Sequence, residues 1–171
     1  LVISEFFNLK TVNEKLFFNF SLPNSRGDFS KIKISNKKIF LIDESYNSNP
    51  LSLEFAIKNF ESLKFNNQRK FLLLSDMLEM GKFSKTLHRN IAKIINKTSI
   101  DKVYVYGKDI KETYYAISPD KRGKILSNIN EIYNLIKNDL NNNDYLMIKG
   151  SNSTGLNKFV TKIKKERINA L

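Results

Sequence analysis

Residues Leu41 to Pro50 read LIDESYNSNP, an apolar run that passes into an acidic pair, a tyrosine, two asparagines and a proline. On the C-terminal side Asn49 can cap a helix and Pro50 fits its first turn. Leu53, Ala56, Ile57, Phe60 and Leu63 then recur as one apolar stripe through Lys64. On the N-terminal side KIKIS (Lys31–Ser35) and KKIFLID (Lys37–Asp43) alternate or run apolar around Asn36, which predicts a hairpin-like entry into a sheet. The stretch is therefore the end of a strand, a polar turn and the start of a helix.

The same alternation recurs downstream. RKFLLLS (Arg69–Ser75) reads as a buried strand, and Leu87, Ile91, Ile94 and Ile95 as the stripe of a second helix. KVYVYG (Lys102–Gly107) is a strand followed by a short helix through Tyr114 and Tyr115. KILS (Lys124–Ser127) is a weaker strand, and Asn128 caps a helix carrying Ile129, Ile132, Leu135 and Ile136. DYLMIKG (Asp144–Gly150) is the last strand; Gly155 to Arg167 is the last helix, with Leu156, Phe159, Val160 and Ile163 inward. Apolar strands alternating with amphipathic helices predict an α/β fold: a Rossmann-like, mostly parallel sheet with helices on both faces. Ligands of such sheets bind beyond the carboxyl ends of the strands.

Upstream the pattern is incomplete. LVISEFFNLK could form a short helix and KLFFNF a strand, while SLPNSRGD (Ser21–Asp28) holds turn and linker residues and marks a boundary. The 171 residues begin at Leu1, and the chain is expected to be a piece of something longer. The absence of cysteine excludes disulfides and thiolate metal sites. No apolar run reaches the ~20 residues that cross a bilayer. The formal charge of +12 invites a nucleic-acid reading, but the lysines are spread over every segment among Asn, Ile and Phe. The one dense cluster, Lys162, Lys164, Lys165 and Arg167, suits the solvated face of a last helix, so neither nucleic acid nor a membrane is the expected partner.

Three strand-to-helix loops are rich in polar chemistry: Asp43–Asn49, Asp76–Gly81 and Lys149–Thr154. The fold gathers them on one edge. In the first, Asn47, Ser48 and Asn49 serve either as turn and cap residues or as ligand contacts, and Tyr46 offers a stacking face beside a carboxylate. In the third, Lys149 and a helix start favour an anion, although the order of residues does not match a P-loop. In the second, Asp76 and Glu79 belong to a site or to a solvated turn. His88, the only histidine, sits one position from an apolar stripe, where packing is the commoner role.

At these loops the sequence resembles the ATP-dependent Mur ligases that add D-alanyl-D-alanine to UDP-N-acetylmuramoyl tripeptide. ESYNSNP is similar to their SYNANP signature, LLLSDMLEMGKFSKTLH to GDMLELG…H, MIKGSNSTGL to VKGSRSMGL, and NSRGD to the GRG element opening their C-terminal domain. The four motifs stand in the family's order across Pro23 to Ile163. The resemblance implies that residues 1–21 are the tail of a central ATPase domain and 22–171 the C-terminal domain. It also implies cytoplasmic amide-bond formation through an acyl phosphate, as part of peptidoglycan precursor synthesis. ATP, D-alanyl-D-alanine and the UDP-sugar tripeptide would be the partners of a monomer, with Mg2+ held by the missing central domain and no metal ligand or catalytic residue here. A ligase of the same superfamily adding another amino acid, or a folylpolyglutamate-type enzyme, is the alternative.

By matching position, Arg26 would reach the ATP phosphates, Glu44 the ribose hydroxyls, and Tyr46, Asn47 and Asn49 the nucleotide. Asp76, Lys149, Ser151 and Asn152 would line the dipeptide pocket, with Lys149 or the helix start facing its carboxylate; His88 belongs to the motif without an evident role. Four positions depart from the pattern. Ser25 and Ser75 stand where the family has Gly, Asn152 where it has Arg, and Glu44 where Asp is frequent.

Overall fold

A computed structural model describes residues 25–63 and 68–166. The readings made for residues 1–20, and for the first half of the Ser21–Asp28 boundary, fall outside these residues. Six strands form one sheet: β1 (Asp28–Ile34), β2 (Lys37–Glu44), β3 (Lys70–Ser75), β4 (Lys102–Tyr106), β5 (Arg122–Leu126) and β6 (Tyr145–Lys149). Between and after them run α1 (Pro50–Ser62), α2 (Ser84–Ile95), α3 (Lys111–Ala116), α4 (Ile129–Asn138) and α5 (Leu156–Glu166).

The spatial order is β1-β2-β6-β3-β4-β5. Only β1 runs antiparallel, as the hairpin partner of β2, with Ser35 in the left-handed region (φ 54°) at its turn. β2, β6, β3, β4 and β5 are all parallel. The expected mostly parallel sheet is therefore present, with its last strand inserted between β2 and β3.

Alternate residues of the central strands feed two separate cores. Leu41, Phe71, Leu73, Leu146 and Ile148 pack under α4 and α5, with Ile132, Ile136, Leu156 and Val160. Ile42, Leu72, Leu74 and Met147 pack under α1 and α2, with Leu53, Ile57, Ile91 and Ile95. Burial of these branched side chains, each contributing roughly 1.5–3 kcal/mol, is the main force holding helices to both faces. Two stripes differ from expectation. Leu63 is exposed at the C-cap of α1. The buried face of α2 is His88, Ile91, Ala92 and Ile95, which turns Leu87 and Ile94 to its margin. Strand β1 also starts earlier than the apolar pattern, at Asp28, because its backbone pairs with Asp43 even where its side chains are polar.

The caps read from sequence form as expected. Asn49 accepts the Ser52 amide at 2.8 Å while the Ser52 hydroxyl accepts the Asn49 amide at 3.1 Å, a reciprocal capping box. Asn128 accepts the Glu131 amide at 3.0 Å.

Candidate functional site

The insertion of β6 creates the site. From β2 and β3 the chain leaves towards one face of the sheet, and from β6 it leaves towards the other. Two crevices therefore open beside the carboxyl end of β6, the position where open α/β sheets bind ligands. The three polar loops all end there, and Ser151 joins them. Its hydroxyl donates to the Ser48 carbonyl (3.4 Å) and accepts the Leu78 amide (3.0 Å), while its own amide donates to the Asp76 carbonyl (3.1 Å).

The first cleft, about 240 Å³, lies between the ends of β2 and β6 and is lined by Arg26, Glu44, Tyr46, Asn47, Asn49 and Lys149, with Ser25 and Ser52. All five residues expected around a nucleotide are thus brought together. The Arg26 guanidinium sits 4.4 Å over the Tyr46 ring, and Tyr46 is 41% exposed. Lys149, only 2% exposed, donates to the Asn47 carbonyl at 2.9 Å and faces the Glu44 carboxylate at 3.5 Å. Burial pushes its ammonium below the ordinary lysine range, and the charge and hydrogen bond of Glu44 oppose that shift. Lys149 was expected beside the dipeptide. In the structure it lines the first cleft with the nucleotide candidates, because the pairing of β6 with β2 sets it beside Glu44.

Asp43, 1% exposed, lies outside the lining of this cleft, beneath the turn that carries Arg26. It accepts the Ser25 hydroxyl (3.0 Å), the Ser45 amide and hydroxyl (3.1 and 2.6 Å), and the Lys164 ammonium of α5 (2.6 Å). The turn that presents Arg26 is held by this network. Ser25 and Gly27 both have left-handed backbones (φ 63° and 89°), which explains a glycine as the usual residue at position 25. Ser25 bears that conformation at a cost of about 1 kcal/mol, offset by its buried bond to Asp43.

The second cleft, about 460 Å³, opens across the ends of β6, β3, β4 and β5. Asp76, Tyr106, Lys111, Ser127, Ser153 and Thr154 are among its lining residues. Both carboxylate oxygens of Asp76 accept backbone amides of the β4–α3 loop, from Lys108 (2.9 Å) and Ile110 (2.8 Å). Asp76 therefore shapes the loop as well as lining the cleft. Ser75 directs its hydroxyl to the Tyr106 carbonyl. A Cβ on Gly150 would lie 2.7 Å from the Cβ of Ser75, so Gly at 150 is what allows a side chain at 75. Asn152 is exposed on the rim, outside the lining of both clefts.

His88 is fully buried. Its Nε2 accepts the Met77 amide at 2.9 Å and its Nδ1 donates to the Ser84 carbonyl at 2.8 Å, so the ring ties the β3–α2 loop to its helix. Sequence reasoning missed Lys111, Ser127 and Tyr106, because it weighed loops by the density of polar residues and the β4 loop looked sparse. Among the described residues, no group of three or more His, Asp or Glu side chains is placed to hold a metal ion. No helix there is long and apolar enough to cross a membrane.

The architecture is that of a doubly wound α/β domain with two polar clefts astride one strand, at the place where such sheets bind ligands. The chain belongs to the Mur ligase family: residues 30–152 match the family described as Mur ligase, glutamate ligase domain. It is 40% identical over 68 residues to the UDP-N-acetylmuramoyl-tripeptide–D-alanyl-D-alanine ligase of Bacillus subtilis (strain 168), covering 40% of this chain and 15% of that protein. It is 32% identical over 148 residues to the enzyme of the same name from Buchnera aphidicola subsp. Baizongia pistaciae, covering 85% and 31%. The solved MurF ligase from Thermotoga maritima in complex with ADP shares the fold, with a TM-score of 0.75 at 17% identity over all of this chain and 37% of that one. The chain thus spans between 15% and 31% of the length of these two curated relatives.

Proposed function

We propose that residues 22–171 are the C-terminal domain of an ATP-dependent ligase that joins D-alanyl-D-alanine to UDP-N-acetylmuramoyl-tripeptide, in cytoplasmic peptidoglycan precursor synthesis. Residues 1–21 would then close the central ATPase domain. The observation that carries this reading is the meeting of three distant loops on Ser151, which sets two polar clefts side by side across β6. A reaction between an activated carboxylate and an amine needs such a pair, one side for the nucleotide and one for the amine donor.

The donor set of the first cleft fits a nucleotide. Arg26 offers a guanidinium suited to bidentate phosphate contact and already ordered by stacking on Tyr46. Glu44 offers acceptor oxygens to the ribose hydroxyl pair, and Lys149, which donates to the Asn47 carbonyl, faces that carboxylate. Asn49 lines the cleft while capping α1. ATP, when bound, supplies the phosphoryl group that activates the tripeptide carboxylate as an acyl phosphate. The work of this chain is to orient, to exclude water and to present the amine. Asp76 lines the amine-donor cleft, Ser151 holds both clefts in register, and Asn152 would meet ligand only from the rim. The Mg2+ required with ATP would be held by the central domain.

The test is made on the enzyme with all its domains. ADP release should require both the UDP-sugar tripeptide and D-alanyl-D-alanine, and residues 1–171 alone should form no amide. Release of ADP that answers to another amino acid or to a folate, and not to the dipeptide, would assign the alternative ligase instead.

A further inference from the structure

The second cleft contains one cation among its lining residues, Lys111. The residue is partly buried, and among the described residues no hydrogen bond or ion pair occupies its ammonium. The neighbouring charges differ in this respect. Both Asp76 oxygens are bound by backbone amides, Asp109 accepts the Ser84 hydroxyl, and Lys149 is engaged on the other side of β6 by Glu44 and Asn47. A partly buried lysine that lines a polar cleft without a partner is the feature an anionic ligand would complete.

From this geometry we infer that Lys111 binds the terminal carboxylate of the amine donor and thereby selects a free C-terminal acid. The inference rests on the functional reading above. Its polarity follows from the order of the strands. The first cleft lies on the β2 side of β6, and Lys111 follows β4, two strands away on the opposite side. With strands about 4.8 Å apart, the Lys111 end of the cleft stands roughly 10 Å from β6. An extended dipeptide spans about 7 Å, at ~3.5 Å per residue. A donor anchored by its carboxylate at Lys111 thus points its amine back towards β6 and the nucleotide cleft, where the activated carboxylate must arrive. The hydroxyls of Ser127 and Ser153, on opposite sides of the cleft, are placed to accept or donate along its length. Lys149, which with the helix start was one of two groups the family resemblance offered for this role, lines the first cleft and is engaged by Glu44 and Asn47.

The experiment compares the wild-type enzyme, with all its domains, against Lys111→Met and Lys111→Arg. The amine donors are D-alanyl-D-alanine and its C-terminal amide. The expected result for Lys111→Met is a rise of at least ten-fold in KM for the dipeptide, with KM for ATP within two-fold of wild type and kcat little changed. Such a pattern reports loss of uniform binding. Lys111→Arg should recover most of the affinity. Wild type should discriminate against the amide by a similar factor, and Lys111→Met should not. An active wild-type enzyme that uses acid and amide equally overturns the inference, whatever the folding of the variants. So does a Lys111→Met enzyme with unaltered KM for the dipeptide. A wild-type enzyme that never accepts the dipeptide overturns the functional reading itself, which keeps the two failures apart.

Discussion

The two clefts beside β6 are built on opposite electrostatic plans. In the first, charges are matched within the domain: Lys149 with Glu44 and Arg26 stacked on Tyr46, with Asp43 and Lys164 paired beneath the Arg26 turn. In the second, the carboxylate of Asp76 is satisfied by backbone amides while Lys111 is left open. A cleft whose buried charges are paired holds its shape before ligand arrives, at the cost of ion pairs that contribute little net stability. A cleft with an unpaired cation takes its counter-charge from the ligand. Under the proposed function, that difference would separate a pre-ordered nucleotide cleft from a donor cleft selective for charge.

The largest expected effect comes from breaking the support beneath the Arg26 turn. Asp43→Ala removes a carboxylate that takes four bonds in a site 1% exposed, and leaves Lys164 without this partner. Loss of about 3 kcal/mol or more is expected, a fall in Tm of roughly 6–12 °C for a domain of this size. Denaturant titration measures it. In the intact enzyme KM for ATP should rise well before KM for the dipeptide, and equal rises would erase the distinction between the clefts.

Ser151→Ala should have a smaller effect that falls on both sides. It leaves the Leu78 amide without its acceptor and removes a weak bond to Ser48, for a loss of about 1–3 kcal/mol. Since Ser151 joins the loops of both clefts, KM should rise for both substrates. A change confined to one would show that the rim is not a unit.

The smallest effect is a pH dependence that sharpens the account of Lys149. Burial lowers its folded pKa below the ordinary 10.5, so the unfolded chain holds the proton more tightly than the folded one. The cost of charging the buried amine is then fully present below the folded pKa, and stability rises with pH between that value and 10.5. Lys149→Met should abolish this rise when the two proteins' unfolding free energies are compared from neutral to alkaline pH. An unchanged slope would mean that the ammonium is solvated after all.

Much of this arrangement was legible in the residues. Period-two and period-3.6 patterns located the strands and helices, Asn49 and Asn128 announced their caps, and the polar loops at strand ends pointed to one rim. What could not be read is whatever depends on neighbours in space. The insertion of β6 between β2 and β3 is a long-range pairing, and it alone decides that Lys149 faces Glu44 rather than Asp76. His88 falls on the buried face of α2 because the Met77 amide and the Ser84 carbonyl satisfy both ring nitrogens. The β4–α3 loop looked sparse, yet it contributes backbone amides to Asp76 and a cation at its end, neither of which a count of polar side chains can show.

The separation of the two clefts is tested most directly by hydrogen–deuterium exchange on the intact enzyme. A non-hydrolysable ATP analogue should slow exchange at residues 25–27 and 44–49, and D-alanyl-D-alanine should slow it at residues 107–111 and 153–154. Protection of residues 107–111 by the nucleotide, with residues 44–49 indifferent to it, would contradict the division of labour across β6.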